Sequence, residues 1–532
     1  MPDLTLTAAV ITALLGLLLL RTYLARTTVT PNLPPGPPPS NFFTGNVIPT
    51  IHPWRTLEQW THKYGEIYTL RIGTTLLFVL GSASSAHQIM ERQSAHTSDR
   101  PRQIMAGELI SDNRRMLILP YGDRWRLYRK TMHEFLQDKA ASSYESLQRR
   151  EATIAMLHLG NQQGTNFREV FKRYAASVIM QVTYDYAITR LDDPLIKEVE
   201  ECLTNLAMWI RPGASMLDRY PSLMHLPKAV NPWKRRGLKL REREQKLFRS
   251  QWERVRQRVK EGVCQPCFVS QVQERQKELG ITDEEGASMA GSLFGAGSDT
   301  TASGLAIFVM AMCRYPAVLK KLQEEIDGIC GSDQDGHLPT FEDLTPESTP
   351  YLHATVQETL RWRPISAGGF THKLTSDVEY KGYILPKGSS VVAPHWSISL
   401  DPHEYPNPHI FNPERFLSSS SSFNDQQDVK LHGTWFAKQR GSVAFGFGRR
   451  ICPGLHVAMR SLTINLACMA WCFDISHPSG QPEKVDTLAF NSAANSHPLP
   501  FPAVFKYRSE ARKKVVLEEN RESGELDRLA AQ

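Results

Sequence analysis

Hydrophobic and polar positions are distributed unevenly along the chain, and the extremes mark its elements. Leu4 to Leu20 contains no charged residue, ends in a run of leucines, and is followed by Arg21 and Arg26. A stretch of that length is at the short end of what spans a bilayer, and basic residues after it direct the following chain to the cytoplasmic side. Residues 1–21 are therefore expected to form an N-terminal transmembrane anchor. A cleaved signal peptide is the competing reading, weakened because no basic region precedes the apolar run and no small-x-small site follows it. Pro31 to Pro39 is too proline-rich for helix, so residues 22–40 read as a stiff hinge.

Beyond the hinge, a helical period covers Trp54 to Tyr64, and Ile67 to Ile72 and Leu76 to Leu80 read as short strands separated at Gly73. Ser98 to Pro101 opens an irregular region reaching about Pro120. From Tyr144 to about Lys260 the pattern is mostly helical, interrupted between Pro212 and Pro232. Val378 to Leu385 and Ser389 to Ala393, joined at Pro386-Lys387-Gly388, read as a hairpin. Ser418 to Ser422 begins a low-complexity surface insertion containing Asp425 and Asp428, Leu455 to Cys472 is a continuous helical run, and residues 509–532 form a charged tail. The fold class expected is mainly α with a small β portion (α+β), with a helix-rich body over residues 41–508.

The longest predicted helix is bounded by a capping box, Thr282 with Glu285, and by the stop Tyr315-Pro316. That is roughly 50 Å of helix. Between Ala287 and Cys313 the only charge is Asp299, so the helix must be buried nearly all round. A lone carboxylate there is costly unless it has partners or chemistry to perform. It sits in Ala296-Gly297-Ser298-Asp299-Thr300-Thr301, where glycine permits close approach and a threonine bonding back to a carbonyl can open a notch. A crossing of small residues explains Ala296 and Gly297 but leaves Asp299 unexplained.

Composition narrows the class. With 532 residues, 41% hydrophobic and 22% charged, the chain has ample material for a core. A net charge of +7 is too diffuse to indicate nucleic acid, and suits an anionic membrane surface or an acidic protein partner. The eight cysteines show no regular spacing, so a disulfide framework is not expected. One of them, Cys452, lies in Phe445-Gly446-Phe447-Gly448-Arg449-Arg450-Ile451-Cys452-Pro453-Gly454, among glycine amides and arginines that favour a thiolate and just before a helix N-terminus. The glycines can fold the backbone under a flat metal cofactor and aim amide N–H groups at sulfur, whereas the bland reading is a buried structural cysteine. Trp125 and Arg129, four apart on a helix, form either a donor pair for a carboxylate or an aromatic packed under an arginine. Glu358 and Arg361, by themselves, read as a solvated helix pair.

The spacing of Phe445, Gly448, Arg450, Cys452 and Gly454 resembles the cysteine-ligand loop of the cytochrome P-450 family of haem-thiolate monooxygenases, microsomal type, and the overall look resembles its fungal secondary-metabolism members. The resemblance implies haem b held by Cys452 as axial iron ligand, with Phe445 and Gly448 in its loop. It places Trp125, Arg129, Arg450, Arg100 and His372 at the propionates, and Asp299 and Thr300 in an oxygen groove that handles O2 and protons. It further implies that Glu358, Arg361 and Arg415 (in Pro413-Glu414-Arg415-Phe416) make a buried network behind the cofactor. Phe294, Ala296, Ile365, Ala367 and Gly368 would line the substrate space. Gly295-x-Gly297 is mid-helix and lacks a third glycine, so it is no dinucleotide loop. Electrons would then come from NADPH through a separate membrane-bound reductase, with Lys438, Arg440 and Arg449 as docking charges. The expected function is oxygenation of a lipophilic small molecule at the endoplasmic reticulum membrane, the body facing the cytoplasm. Desaturation, coupling or rearrangement on the same cofactor, and a non-catalytic haem sensor, are the alternatives.

Overall fold

The computed structural model describes residues 32–41, 44–73, 75–161, 166–211, 214–332, 335–417 and 443–522, together with Gly16. The expected anchor (Gly16 apart), residues 22–31 of the hinge, the insertion with Asp425, Asp428, Lys438 and Arg440, and the tail from residue 523 lie outside the described residues. Those described fall into two compact units.

The first unit takes Met1–Pro101, Gly369–Ile398 and Phe447–Arg449. Its helix α1 (Pro53–Tyr64) starts with proline in its first turn, where a missing N–H costs nothing, and buries Trp54 and Leu57. Strands β1 (Ile67–Ile72) and β2 (Thr75–Leu80) pair antiparallel, Ile67 opposite Leu80. They continue into a four-stranded sheet of order β1-β2-β6-β3, with β3 at His372–Lys373 and β6 at Ser390–Val392. Leu57, Tyr68, Leu70, Leu77, Val79 and Val392 make its core. The expected hairpin of 378–385 with 389–393 does not form, and the turn lies inside its first half. Strands β4 (Val378–Tyr380) and β5 (Tyr383–Leu385) pair with each other, and β6 leaves to join β2. The cause is the turn: Lys381 and Gly382 have φ of 48° and 80°, the left-handed pair that a two-residue hairpin needs.

The second unit takes Arg102–Gly368, Ser399–Gly446 and Arg450–Gln532. Its helices are α2 (Asp123–Leu136), α3 (Glu145–Asn161), α4 (Phe167–Tyr184), α5 (Pro194–Trp209), α6 (Pro232–Lys260), α7 (Asp283–Arg314), α8 (Pro316–Cys330), α9 (Pro350–Trp362), α10 (Leu455–Cys472) and α11 (Glu510–Glu522). β7 (Phe473–Ser476) and β8 (Val504–Tyr507) pair antiparallel. The stretch expected to be irregular contains a helical turn of π type at Ile104–Ile110 whose apolar side chains bury against α5 and its following loop. The tail differs as well. Glu510–Glu522 is helical, with Val516 and Asn520 fully buried and Arg512 paired with Asp327 at 2.9 Å, so the body extends past residue 508.

Helix α7 carries the expected capping box, Thr282 and Glu285 bonding each other's backbone N–H. It packs chiefly on α4, and on α6 and α10. A Cβ on Gly286 or Gly291 would lie 2.3 Å from Trp252 or 2.4 Å from Phe248, both on α6. One on Gly297 would lie 2.7 Å from Ile179 on α4. The close approach expected at Gly297 is to a neighbouring helix, in keeping with a crossing of small residues.

Buried His158 on α3 and buried His395, each in its own unit, have imidazoles that burial pushes down to about 4, with Arg173 adding to the effect at His158. Each stays neutral in the fold while the unfolded chain takes up a proton near the ordinary value of about 6.5. Stability from each is complete above that value and declines as pH falls towards 4, by about 2 kcal/mol between pH 7 and 5. Urea titrations at the two pH values should show the decline, and His395→Leu should remove its own share. An unchanged pH slope in that variant would contradict the assignment.

Candidate functional site

In the second unit the cysteine stretch is closed by its own backbone, Cys452 N–H donating to the Phe445 carbonyl at 2.9 Å. Gly446 takes φ of 75°, a left-handed turn that a side chain would strain. The Cys452 side chain is half-buried, and α10 begins at Leu455 with Gly454 as its cap residue. Phe445 packs against the core. In the first unit Gly448, with φ of 55°, donates its amide to Glu91 Oε2 at 2.5 Å. That amide therefore serves a carboxylate and not the cysteine sulfur.

Three donors converge beside this stretch. Arg129 on α2 donates to the Ile451 carbonyl at 2.5 Å, and Arg450 donates to the Leu119 carbonyl at 2.7 Å. The Arg450 guanidinium lies 4.5 Å from the ring centroid of Trp125. Both readings of the Trp125–Arg129 pair are thus partly met, except that the arginine stacked on the indole is Arg450. Trp125 is 4% exposed, and its Nε1 has no hydrogen-bond partner among the described residues. Burial lowers the Arg129 side chain from its usual value, and Cys452 opposes this. Among the described residues no carboxylate pairs with Arg129. An orphaned buried indole N–H under a stacked guanidinium is a donor set that fits a carboxylate-bearing ligand.

Arg100 and His372 belong to the first unit, where a bridge between Asp99 and Lys373 brings their segments together. Arg100 donates to the Thr371 carbonyl at 2.6 Å and His372 Nδ1 to the Thr97 carbonyl at 2.7 Å. Both side chains are buried.

On α7 the surface pattern changes for one turn. Ala296 is exposed and Gly297, Asp299 and Thr300 are partly so, in a helix whose other central residues are almost all buried. The Thr300 hydroxyl donates to the Ala296 carbonyl at 2.9 Å, and Ser298 donates to Phe294 at 2.9 Å. Such back-bonding competes with the helical ladder and is a recognised source of local bending. Asp299 is fully engaged: His497 Nε2 donates to Oδ1 at 3.0 Å and Asn495 Nδ2 to Oδ2 at 3.1 Å. Burial works against its charge, but these two donors outweigh it and hold the carboxyl below the usual carboxylate range. Neither partner was evident from the sequence, and both lie on the turn at 490–498. The turn is rigid, because Phe490 bridges to Pro498 and Ser496 N–H donates to the Ile365 carbonyl at 2.6 Å. Ser366 Oγ in turn donates to Asn495 Oδ1 at 2.9 Å.

Of the expected pocket residues, Ala296, Ile365 and Gly368 keep exposure, and a Cβ on Gly368 would meet nothing within 4 Å. Ala367 corrects the expectation, being 1% exposed, whereas Phe294, equally buried, still lines the cavity beside Asp299. Phe294 is edge to face with Tyr184, drawn into the α4 interface. Behind the cysteine stretch Glu358 and Arg361 are fully buried and joined at 2.6 and 2.8 Å. Arg361 also binds the Ser399 and Pro408 carbonyls, and α9 packs on the 443–445 turn. Arg415 lies further off, at 3.6 Å from Glu358, and donates to the Asn407 carbonyl at 3.0 Å. Far from being solvated, the Glu358–Arg361 pair is the most buried ion pair among those described.

A family model for cytochrome P450 matches residues 34–500. The chain belongs to the cytochrome P450 family. Among curated relatives it is 39% identical over 487 residues to cytochrome P450 monooxygenase 64 of Postia placenta, spanning 90% of this chain and 92% of the relative. It is 34% identical to cytochrome P450 monooxygenase fsoB of Humicola fuscoatra (91% and 88%) and 32% identical to cytochrome P450 monooxygenase FrzL of Cladobotryum sp (93% and 90%). This P450 is a monooxygenase whose family uses thiolate-bound haem and O2. The donor cluster beside Cys452 and the small, exposed turn of α7 fit such a group by their chemistry.

Proposed function

We propose that this P450 is a membrane-anchored monooxygenase that draws electrons from NADPH through a separate reductase and oxidises a lipophilic small molecule in secondary metabolism, at the endoplasmic reticulum with its body in the cytoplasm. Cys452 holds the haem iron. Trp125, Arg129 and Arg450 hold its propionates. Haem bound through a thiolate supplies the O–O bond cleavage and oxygen insertion of the family. The protein's own contribution is binding and proton handling: Thr300 Oγ1 presents a hydroxyl at the exposed turn, and Asp299 beside it holds and releases a proton. Ala296, Ile365 and Gly368 offer apolar surface to a substrate. Glu358, Arg361 and Arg415 hold the meander behind the cysteine stretch in shape.

The observation that carries this reading is the exposed turn of α7, where an acid and an alcohol are adjacent on an otherwise buried apolar helix. A pure rearrangement needs no proton supply, and a sensor needs no acid. The charge-free segment Leu4 to Leu20 supports the anchor. Among the described residues no single helix is long and apolar enough to cross a membrane.

The test is reconstitution of the haem-loaded chain with an NADPH-dependent reductase in vesicles, with a panel of lipophilic substrates under 18O2. One labelled oxygen atom per product molecule is expected. Failure of the whole panel despite full reduction would overturn the reading. In the same assay Thr300→Ala should release peroxide in place of product, lowering product per NADPH roughly tenfold or more. Unchanged coupling would remove Thr300 from the proton path.

A further inference from the structure

Asp299 needs a supply of protons, and on its side of α7 there is a cleft whose lining is largely apolar but carries several charged side chains. Its charged and titratable lining is Arg168 and Lys172 of α4, Glu200 of α5, Asp299 of α7, and His497, set among apolar residues of the same helices. His497 keeps 19% and Asp299 25% of its side chain exposed, so the pair stands at the cleft wall and not in sealed core. His497 is aimed by the closed turn: its backbone N–H donates to Asn491 Oδ1 at 3.2 Å, and the Asn491 N–H donates to the His497 carbonyl at 2.9 Å. The charges facing the pair are Arg168 and Lys172 from α4 and Glu200 from α5. Lys172 is held by Glu200 at 2.8 Å and by Glu169 at 3.1 Å, so the cleft contains charges of both signs.

We infer that His497 is the proton-entry residue of this P450, passing protons from water in the α4–α5 cleft to Asp299, while Asn495 fixes the second carboxylate oxygen and ties the acid to the segment at Ser366. The inference rests on the function proposed above and specifies how its acid is supplied. The step balances without any electron moving. A hydronium ion in the cleft gives its proton to Nδ1 and becomes water, the imidazolium passes its Nε2 proton to Oδ1, and once Asp299 has handed that proton on, the neutral ring resets by losing the Nδ1 proton to water while Nε2 takes one up from water. Asp299 is an anion whose Oδ1 already accepts the ring N–H, so the proton has a direct path to it. Imidazole is the side chain whose ordinary titration lies nearest neutrality, as a repeated relay requires. Asn495 cannot substitute, because an amide donates a hydrogen bond but does not titrate. His497 touches neither haem nor substrate and acts through Asp299.

His497→Gln keeps a donor towards Asp299 without a relay, and His497→Phe removes both. With wild type forming product, both variants should retain haem content and substrate affinity. Product per NADPH should fall roughly tenfold with matching peroxide release, below the effect of a directly acting acid or base. The solvent deuterium isotope effect on product formation should rise in His497→Gln, and Asp299→Asn combined with it should add little. A second reading needs no turnover: deuterium exchange at the imidazole C2 position in the haem-free chain, by mass spectrometry. His497 should exchange faster than buried His158 and His395. Wild-type coupling and isotope effect in His497→Gln, or exchange at His497 as slow as at His395, would overturn the inference. Wild type forming no product at all would instead overturn the proposed function, and this relay with it.

Discussion

Cys452→Ala should erase the red-shifted Soret band of the reduced, CO-bound protein and bring product formation to background, while leaving the apo chain folded. The two outcomes separate because sulfur and backbone do different work. The loop is closed by the Cys452 N–H to the Phe445 carbonyl and turned at Gly446, and neither depends on the thiol. Removing a half-buried sulfur at such a place costs the fold about 0.5 kcal/mol. It also removes the thiolate that passes electron density to iron and favours O–O cleavage. Retention of the band by Cys452→Ala would show that another group ligates the iron. Loss of the folded apo chain, seen by urea titration, would show that the thiol is structural. Among the described residues every cysteine is unpaired in a disulfide, so no alternative crosslink complicates the comparison.

The second large effect is expected far from solvent. Arg361→Ala strands Glu358 as an uncompensated charge at 0% exposure and frees the Ser399 and Pro408 carbonyls at once. Breaking a buried pair from one side costs about 3–5 kcal/mol. Denaturation should show that loss, with haem incorporation falling in parallel, because the 399–415 meander loses its tie to α9. Arg415→Ala should cost far less, since its Nε stands 3.6 Å from Glu358 and its side chain is 12% exposed. Burial already pulls the Arg415 guanidinium down from its usual value, Glu358 notwithstanding. Equal losses in the two variants would mean that the three residues act as one network. A loss within 1 kcal/mol for Arg361→Ala would mean the pair is replaceable.

Features encoded by local chemistry were legible in the sequence. Thr282 with Glu285 located the start of α7 and Tyr315-Pro316 its end, because capping and the proline stop act within a turn. The small sheet, the helix after Cys452 and the cysteine loop were likewise visible in a few adjacent residues. What could not be read depended on partners distant in the chain. Asn495 is 196 residues from Asp299, and nothing near either residue announces the contact. Gly297 is instructive: a glycine shows that something comes close, and only packing shows that it is Ile179. Ala367 was hidden for the same reason, since apolar residues beside a pocket and within a core look alike in sequence. The C-terminal helix was hidden by its charge, its burial resting on few residues such as Val516 and Asn520.

The turn that supports Asp299 is fastened to the neighbouring segment at two points, Ser496 to Ile365 and Ser366 to Asn495. Mutations that reshape Ile365 or Ser366 to admit a new molecule therefore also disturb the mount of the acid. Diversification of such an enzyme is constrained accordingly. Early variants with a broadened substrate range should waste reductant, and later changes on the 490–498 turn should recover the loss without touching the new substrate.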